Sequence, residues 1–303
     1  METMMSRTEN ISGSYTLAAK VKDYFQLIKF TLSFTVVFSC VICYLLAPGI
    51  TYNFKMVILL FVAGMLVTGS ANAINQAVEK DTDAVMKRTG KRPVADGRMS
   101  QQEAYLFAGI AGLIGVLMMW QFFNLSSALL SAFSLFLYAF IYTPLKKVNS
   151  IAVLVGAFPG ALPCLIGWVA GADDFSAGGW ILFAIQFLWQ FPHFWAIAWV
   201  AHGDYSKAGF KLLPADKGPT KFTALQAVMY SLMMIPVGML PYYFNITGNI
   251  SLWIVAICNL FMVLQCIRLY LEMDVNAARR VMFSSYIYLP IVLLALLADK
   301  VAP

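Results

Sequence analysis

The chain has 303 residues, of which 60% are hydrophobic and only 12% charged, with a formal net charge of +6. That composition, with a mean hydropathy of +0.74, excludes an ordinary soluble domain of this size and points to an integral membrane protein. The basic balance then reports membrane topology and anionic headgroups rather than nucleic acid.

The first two dozen residues are polar and mixed, with Glu2, Glu9 and Asp23 set against Arg7, Lys20 and Lys22. They have neither the apolar core nor the small-residue cleavage site of a signal peptide, and residues 1–27 read as a cytoplasmic N-terminal segment. From there the pattern is one all-α polytopic domain, residues 28–300. Nine apolar runs are long enough to cross a hydrocarbon core: 28–47, 55–78, 104–121, 126–143, 151–170, 178–200, 223–243, 252–270 and 282–298. Assigning alternate connections to opposite sides splits the 21 Lys and Arg residues 19 to 2, with only Lys55 and Lys300 on the minority side. This asymmetry predicts nine transmembrane helices with the N-terminus cytoplasmic, and a bacterial inner (cytoplasmic) membrane as the location.

Small residues recur in the second, third and fifth runs, where helices are expected to approach closely. Pro159, Pro163, Pro192 and Pro236 fall inside runs and predict kinks, whose freed carbonyls must face protein or water. The five cysteines all lie in apolar runs. Cys40-Val-Ile-Cys43 has redox spacing without polar neighbours, so all five read as packing residues.

The second run ends in Asn72-Ala-Ile-Asn75-Gln-Ala-Val-Glu79-Lys-Asp81-Thr-Asp83 and leads into Lys87-Arg88-Thr-Gly-Lys91-Arg92. Asn75, Glu79 and Asp83 are spaced i, i+4, i+8 and share a helix face within an arc of about 80°, with Asn72 inside it and Asp81 elsewhere. Magnesium takes oxygen ligands and is usually held by one or two carboxylates together with substrate phosphates. Asn75, Glu79 and Asp83 are therefore the expected Mg2+ ligands. Arg88 and Arg92 are expected to bind a diphosphate and stabilise it as it departs. The first long connection, 79–103, and a second, 201–222, are the candidate catalytic loops.

The sixth run carries Phe191-Pro192-His193-Phe194-Trp195 and continues to His202-Gly-Asp204-Tyr205-Ser-Lys207-Ala-Gly-Phe-Lys211. An imidazole inside an apolar span is costly unless it lines a cavity, and the surrounding rings suit a flat or polyene ligand. A helix through the segment that follows would put Asp204, Lys207 and Lys211 on one face, although Gly203 and Gly209 weaken it.

Asn75-x-x-x-Glu79-x-x-x-Asp83 with Arg88-Thr-x-x-Arg92-Pro93 resembles the first signature of the UbiA-type intramembrane prenyltransferases. Tyr142-Thr-Pro-Leu-Lys146-Lys147, Gly156-Ala-Phe-Pro-Gly-Ala-Leu-Pro163, Gly167-Trp168, Pro192-His193-Phe-Trp and Asp204-Tyr205-x-x-Ala-Gly-x-x-Leu-Leu-Pro214 are similar to the haem O synthase branch. The resemblance implies transfer of a farnesyl group from farnesyl diphosphate to the 2-vinyl group of haem b, with haem as substrate rather than cofactor. It further implies Lys146, Lys207 and Lys211 as diphosphate ligands, His193 and Trp195 as haem contacts, and Asp204 and Tyr205 as a second polar motif. A haem A synthase or terminal oxidase assembly factor is the implied protein partner. Two positions depart from the family pattern. Glu79 stands where Asp is more usual, and Ala208 stands four residues after Asp204, where many members have a second Asp. Two other readings compete. A prenyltransferase for an aromatic or quinone precursor gives no reason for the His193 block. A secondary transporter would carry its polar residues near mid-bilayer rather than at one face.

Overall fold

The computed structural model describes residues 16–214 and 218–301, and among these residues every regular element is a helix. Arg7, Glu2, Glu9 and Lys217 lie outside the described residues. Helix α1 (Leu17–Leu27) is followed, after a bend of 51°, by α2 (Phe30–Leu46). Then come α3 (Phe54–Val78), the short α4 (Lys80–Ala84), α5 (Gln101–Phe122) and α6 (Leu125–Phe136). The last of these runs through a π-helical stretch (Leu137–Tyr142) into the single turn α7 (Thr143–Leu145). The remainder are α8 (Ala152–Ala172), α9 (Ala177–Val200), α10 (His202–Lys207), α11 (Lys221–Tyr243), α12 (Asn249–Glu272) and α13 (Val275–Ala298). Among the described residues, eight helices are long and apolar enough to span a membrane, and the bent α1–α2 pair, counted as one span, brings the number to nine. The nine apolar runs therefore coincide with helices to within a few residues at most ends; α13, which starts seven residues early, is the main departure.

Side-chain caps explain where several spans start. Asn53, Ser100, Asn124, Thr220 and Asp274 each accept a hydrogen bond from a backbone N–H of the first turn. The helices pair as α3 with α5, α2 with α8, α8 with α9 and α11 with α12, while α9 and α13 close the bundle. Close approach needs glycine at one place above all. A Cβ on Gly167 would run into the Cys40 backbone carbonyl of α2, which has nowhere to move. Gly167→Ala should therefore cost about 1–3 kcal/mol through overpacking, reversing the usual helix-propensity gain. Thermal unfolding in detergent checks this, with Gly109→Ala, whose Cβ meets nothing within 4 Å, as the control that should show only the propensity gain.

The proline in the middle of α8 behaves as its chemistry requires. Pro163 has no N–H for the Pro159 carbonyl, and the Ser134 hydroxyl donates to that carbonyl instead at 3.3 Å. All five cysteines are free thiols, four of them buried.

Residues 17–27 form an amphipathic helix, α1, that is docked on the protein. Leu17, Val21 and Phe25 face outward, as suits a helix lying in the membrane interface, while Asp23 and Leu27 are buried against the protein. Arg98 donates to Asp23 and Gln26, and Glu103 meets Lys20 at 2.5 Å and Tyr24 at 2.8 Å. Asn72 and Gln76 of α3 grip the carbonyls at the end of α1, donating to Ile28 and to Gln26 and Leu27. Asn72 thus holds the α1–α2 break rather than serving the acidic face. At the opposite end of the bundle, Lys300 donates to the Leu45 and Ala47 carbonyls at 2.8 and 2.6 Å and so caps α2.

Candidate active site

The acidic face survives the break between α3 and α4. Glu79 has non-helical dihedrals (φ −92°, ψ 12°), yet its N–H donates to the Asn75 carbonyl at 3.0 Å and its carbonyl accepts from Asp83 N–H at 2.7 Å. Asn75, Glu79 and Asp83 stay in register along one side, only 1%, 4% and 1% exposed. Asp81 points to solvent, as its helical position requires.

Each of the three meets a cation delivered by a different element. Lys29, from the α1–α2 break, donates to Asn75 Oδ1 at 2.7 Å. Lys146, one residue past α7, forms a buried ion pair with Glu79 without the alignment of a hydrogen bond. Arg92 donates to Asp83 Oδ2 at 2.7 Å. Asn75 also donates to Thr143 at 3.3 Å, which fixes its amide. Three cations against two carboxylates leave a positive surplus suited to a polyphosphate.

Lys29 holds a left-handed conformation, φ 48°, which is rare for a residue with a side chain. The clamps from Asn72 and Gln76 on the adjoining carbonyls keep it there. The strain brings the ammonium over Asn75.

The second loop is docked onto the first. Arg88 donates to the Tyr205 hydroxyl at 3.1 Å with its guanidinium over the ring. Lys146 lies between the rings of Tyr142 and Phe210, 4.9 and 5.3 Å from their centroids, and its carbonyl accepts from Lys211 N–H at 2.8 Å. The shared face expected for Asp204, Lys207 and Lys211 does not form. Helix α10 stops at Lys207, Gly209 takes φ 72°, and Lys211 belongs to the irregular chain beyond it. Lys207 and Lys211 are exposed, and Asp204 is half-buried with no ion pair among the described residues.

Beneath the charged cluster lies a mainly apolar cavity of about 300 Å³, walled by α2, α3, α6, α8, α9 and α13. Asn72, Tyr138 and Tyr142 line it on one side, and Gln186, Trp189, Gln190, His193, Phe194 and Tyr286, from α9 and α13, line it on the other. The polar residues of α9 recur at i, i+4 and i+7, so one stripe of that helix faces the cavity. Gln186 donates to the Gly160 carbonyl and Gln190 to that of Ala157, which anchors α9 on α8. His193 stacks on Trp189 at 4.6 Å and meets Ser285 through Nδ1 at 2.8 Å. Trp195 does not belong to this wall. Two residues on from His193, it turns to the opposite side of α9 and packs in the core against Phe191 and Tyr230. Trp189, four residues before His193, occupies the cavity position instead.

Of the residues not foreseen, Lys29 was visible only as a charge flanking the first span, and Ser285 lies in an unremarkable apolar run. The stripe of Gln186, Gln190 and His193 was available as three polar side chains at helical spacing within one span.

A bundle of membrane-spanning helices with a charged site beside a mainly apolar cavity suits an intramembrane enzyme that acts on a lipid-like substrate. Residues 36–287 match the UbiA prenyltransferase family. The chain is 43% identical to a Cytophaga hutchinsonii protein named protoheme IX farnesyltransferase, over 94% of this chain and 100% of that one. It is 40% identical to the Flavobacterium johnsoniae protein of the same name, over 92% and 94%. Among solved structures, a digeranylgeranylglyceryl phosphate synthase superposes with a TM-score of 0.77 at 23% identity, covering 92% of this chain and 98% of that one. A UbiA homologue from Archaeoglobus fulgidus, bound to GPP and Mg2+, superposes with a TM-score of 0.72 at 13% identity, covering 90% and 99%. The chain belongs to the UbiA prenyltransferase family and is a multi-pass membrane prenyltransferase.

Proposed function

We propose that this chain transfers the farnesyl group of farnesyl diphosphate to the 2-vinyl group of haem b, giving haem O and diphosphate. The observation that carries the reading is the juxtaposition of a charged site, built on Asn75, Glu79 and Asp83, with an apolar cavity into which His193 and aromatic rings project. The shared name of the Cytophaga and Flavobacterium relatives supports the acceptor.

Whether the site suits a divalent cation is tested by its donors. Asp83 Oδ1 is buried and accepts no hydrogen bond among the described residues, and two carboxylates with an amide oxygen form a hard, all-oxygen set. The residues fit, and Asn75, Glu79 and Asp83 would hold Mg2+. A cation held there would neutralise diphosphate charge and improve the leaving group. Lys29, Arg92 and Lys146, drawn from three elements, would bind the diphosphate oxygens and keep them oriented as charge gathers on them. Arg88, locked to Tyr205, would close the second loop over the diphosphate.

The chain residues around the cavity then govern the organic steps. As the allylic C–O bond breaks, a C–C bond forms to the outer vinyl carbon of haem. Water adds its oxygen to the inner carbon and releases one proton, leaving a hydroxyethyl group. Tyr138, Tyr142 and Phe194 line the cavity, where aromatic rings can stabilise carbocation charge, and the apolar walls would exclude bulk water. The excess of basic residues at the charged end supports a cytoplasmic orientation for it, in a bacterial inner membrane.

The direct test is incubation of purified protein in vesicles with haem b, farnesyl diphosphate and Mg2+, followed by chromatography. Haem O should accumulate, and prenylation of a quinone precursor without haem O would overturn the assignment. Chelation with EDTA should abolish product formation, and added Mg2+ should restore it. Activity that survives chelation would remove the cation from the site.

A further inference from the structure

We propose that His193 presents an unprotonated Nε2 to the cavity and ligates the iron of the haem substrate through it, with Ser285 as the positioning residue that fixes this tautomer. The inference rests on the haem reading and goes further, because it chooses iron over the haem propionates.

The choice follows from one hydroxyl proton. Ser285 Oγ lies 2.6 Å from the Met282 carbonyl, three residues back on α13, and 2.8 Å from His193 Nδ1. A carbonyl can only accept, so the serine proton goes to Met282. Ser285 Oγ must then accept from His193, which places the imidazole proton on Nδ1. The neutral ring is left with a lone pair on Nε2, and Nε2 has no hydrogen-bond partner among the described residues. His193 lines the cavity, and stacking on Trp189 fixes its ring plane.

An Nε2 lone pair cannot donate to a propionate oxygen. A propionate would need the imidazolium, and among the described residues no carboxylate touches His193 to support that charge. Its neighbours are Trp189, Phe194, Tyr286 and Ser285. A neutral imidazole whose other nitrogen donates to a fixed oxygen is instead the usual form of a metal-ligating histidine. The propionates, being anionic, are left to seek the cations at the charged end.

The experiment uses the full chain in detergent with ferrous haem b and nitric oxide, read by electron paramagnetic resonance. A nitrogen ligand trans to nitric oxide adds hyperfine splitting that is absent from the five-coordinate nitrosyl. Wild-type protein should show it, and His193→Gly should lose it and regain it on addition of free imidazole. Ser285→Ala should weaken haem binding by about 10- to 100-fold and reduce the split fraction, while Ser285→Thr retains both. If His193→Gly binds haem with the trans splitting intact, or if haem bound to wild type never shows it, iron ligation by His193 is overturned while the farnesyl transfer assay still stands. If no haem binds and no haem O forms, it is the acceptor assignment that fails.

Discussion

Asp83→Asn is expected to lower kcat/KM for farnesyl transfer by about 100- to 1000-fold, the range seen when one preorganised electrostatic contact to developing charge is removed. Asparagine has the same shape and can still accept from Arg92, which meets Asp83 at 2.7 Å, so the loop should stay folded. What disappears is the carboxylate charge, together with the buried Oδ1 that has no hydrogen-bond partner among the described residues. A buried acceptor without a partner costs about 1–3 kcal/mol, and a protein retains one where it has a task. The comparison that gives the prediction its force is Asp81→Asn, two residues away in α4 but exposed. That variant should keep wild-type kinetics. An equal loss in both would mean that the loop responds only to its total charge, and would take Asp83 out of the site. Thermal midpoints of the two variants measured in detergent separate folding from chemistry.

The span pattern and the acidic face were legible in the sequence because each depends on local regularities. Twenty apolar residues must cross a membrane as a helix, and i, i+4, i+8 spacing puts side chains on one face whatever surrounds them. The break at Glu79 did not spoil the reading, since the backbone ladder from Asn75 to Asp83 continues across it. What escaped the sequence depends on distant partners. Lys29 reaches Asn75 across 46 positions because α3 side chains clamp a left-handed turn, and no pattern around Lys29 announces that turn. Trp195 seemed part of the His193 wall by proximity in sequence, but a step of two residues turns a helical side chain through about 200°, to the opposite side. The expected alignment of Lys207 and Lys211 failed at Gly209, whose positive φ ends the helical path. Asn72 shows the limit of the face argument. It lies in the correct arc, yet its amide is committed to Ile28 and Ser33.

Lys146→Met should cost both stability and activity, and a second substitution should separate the two. Lys146 and Glu79 are 7% and 4% exposed and pair directly, so removing one partner strands a buried charge. Such losses run to about 3–5 kcal/mol. In Glu79→Gln/Lys146→Met both charges are gone and the volumes are nearly kept, so stability should return most of the way to wild type. Transfer activity should not return, because the double variant lacks a carboxylate for the cation and an ammonium for the diphosphate. Glu79→Asp belongs in the same series. Its arm is one methylene shorter, and it retains the charge while drawing away from Lys146, so it should lose less stability than Lys146→Met and fall between wild type and the double variant in rate. Recovery of both properties in the double variant would show that the pair only packs the loop against α7, and would leave diphosphate binding to Lys29 and Arg92.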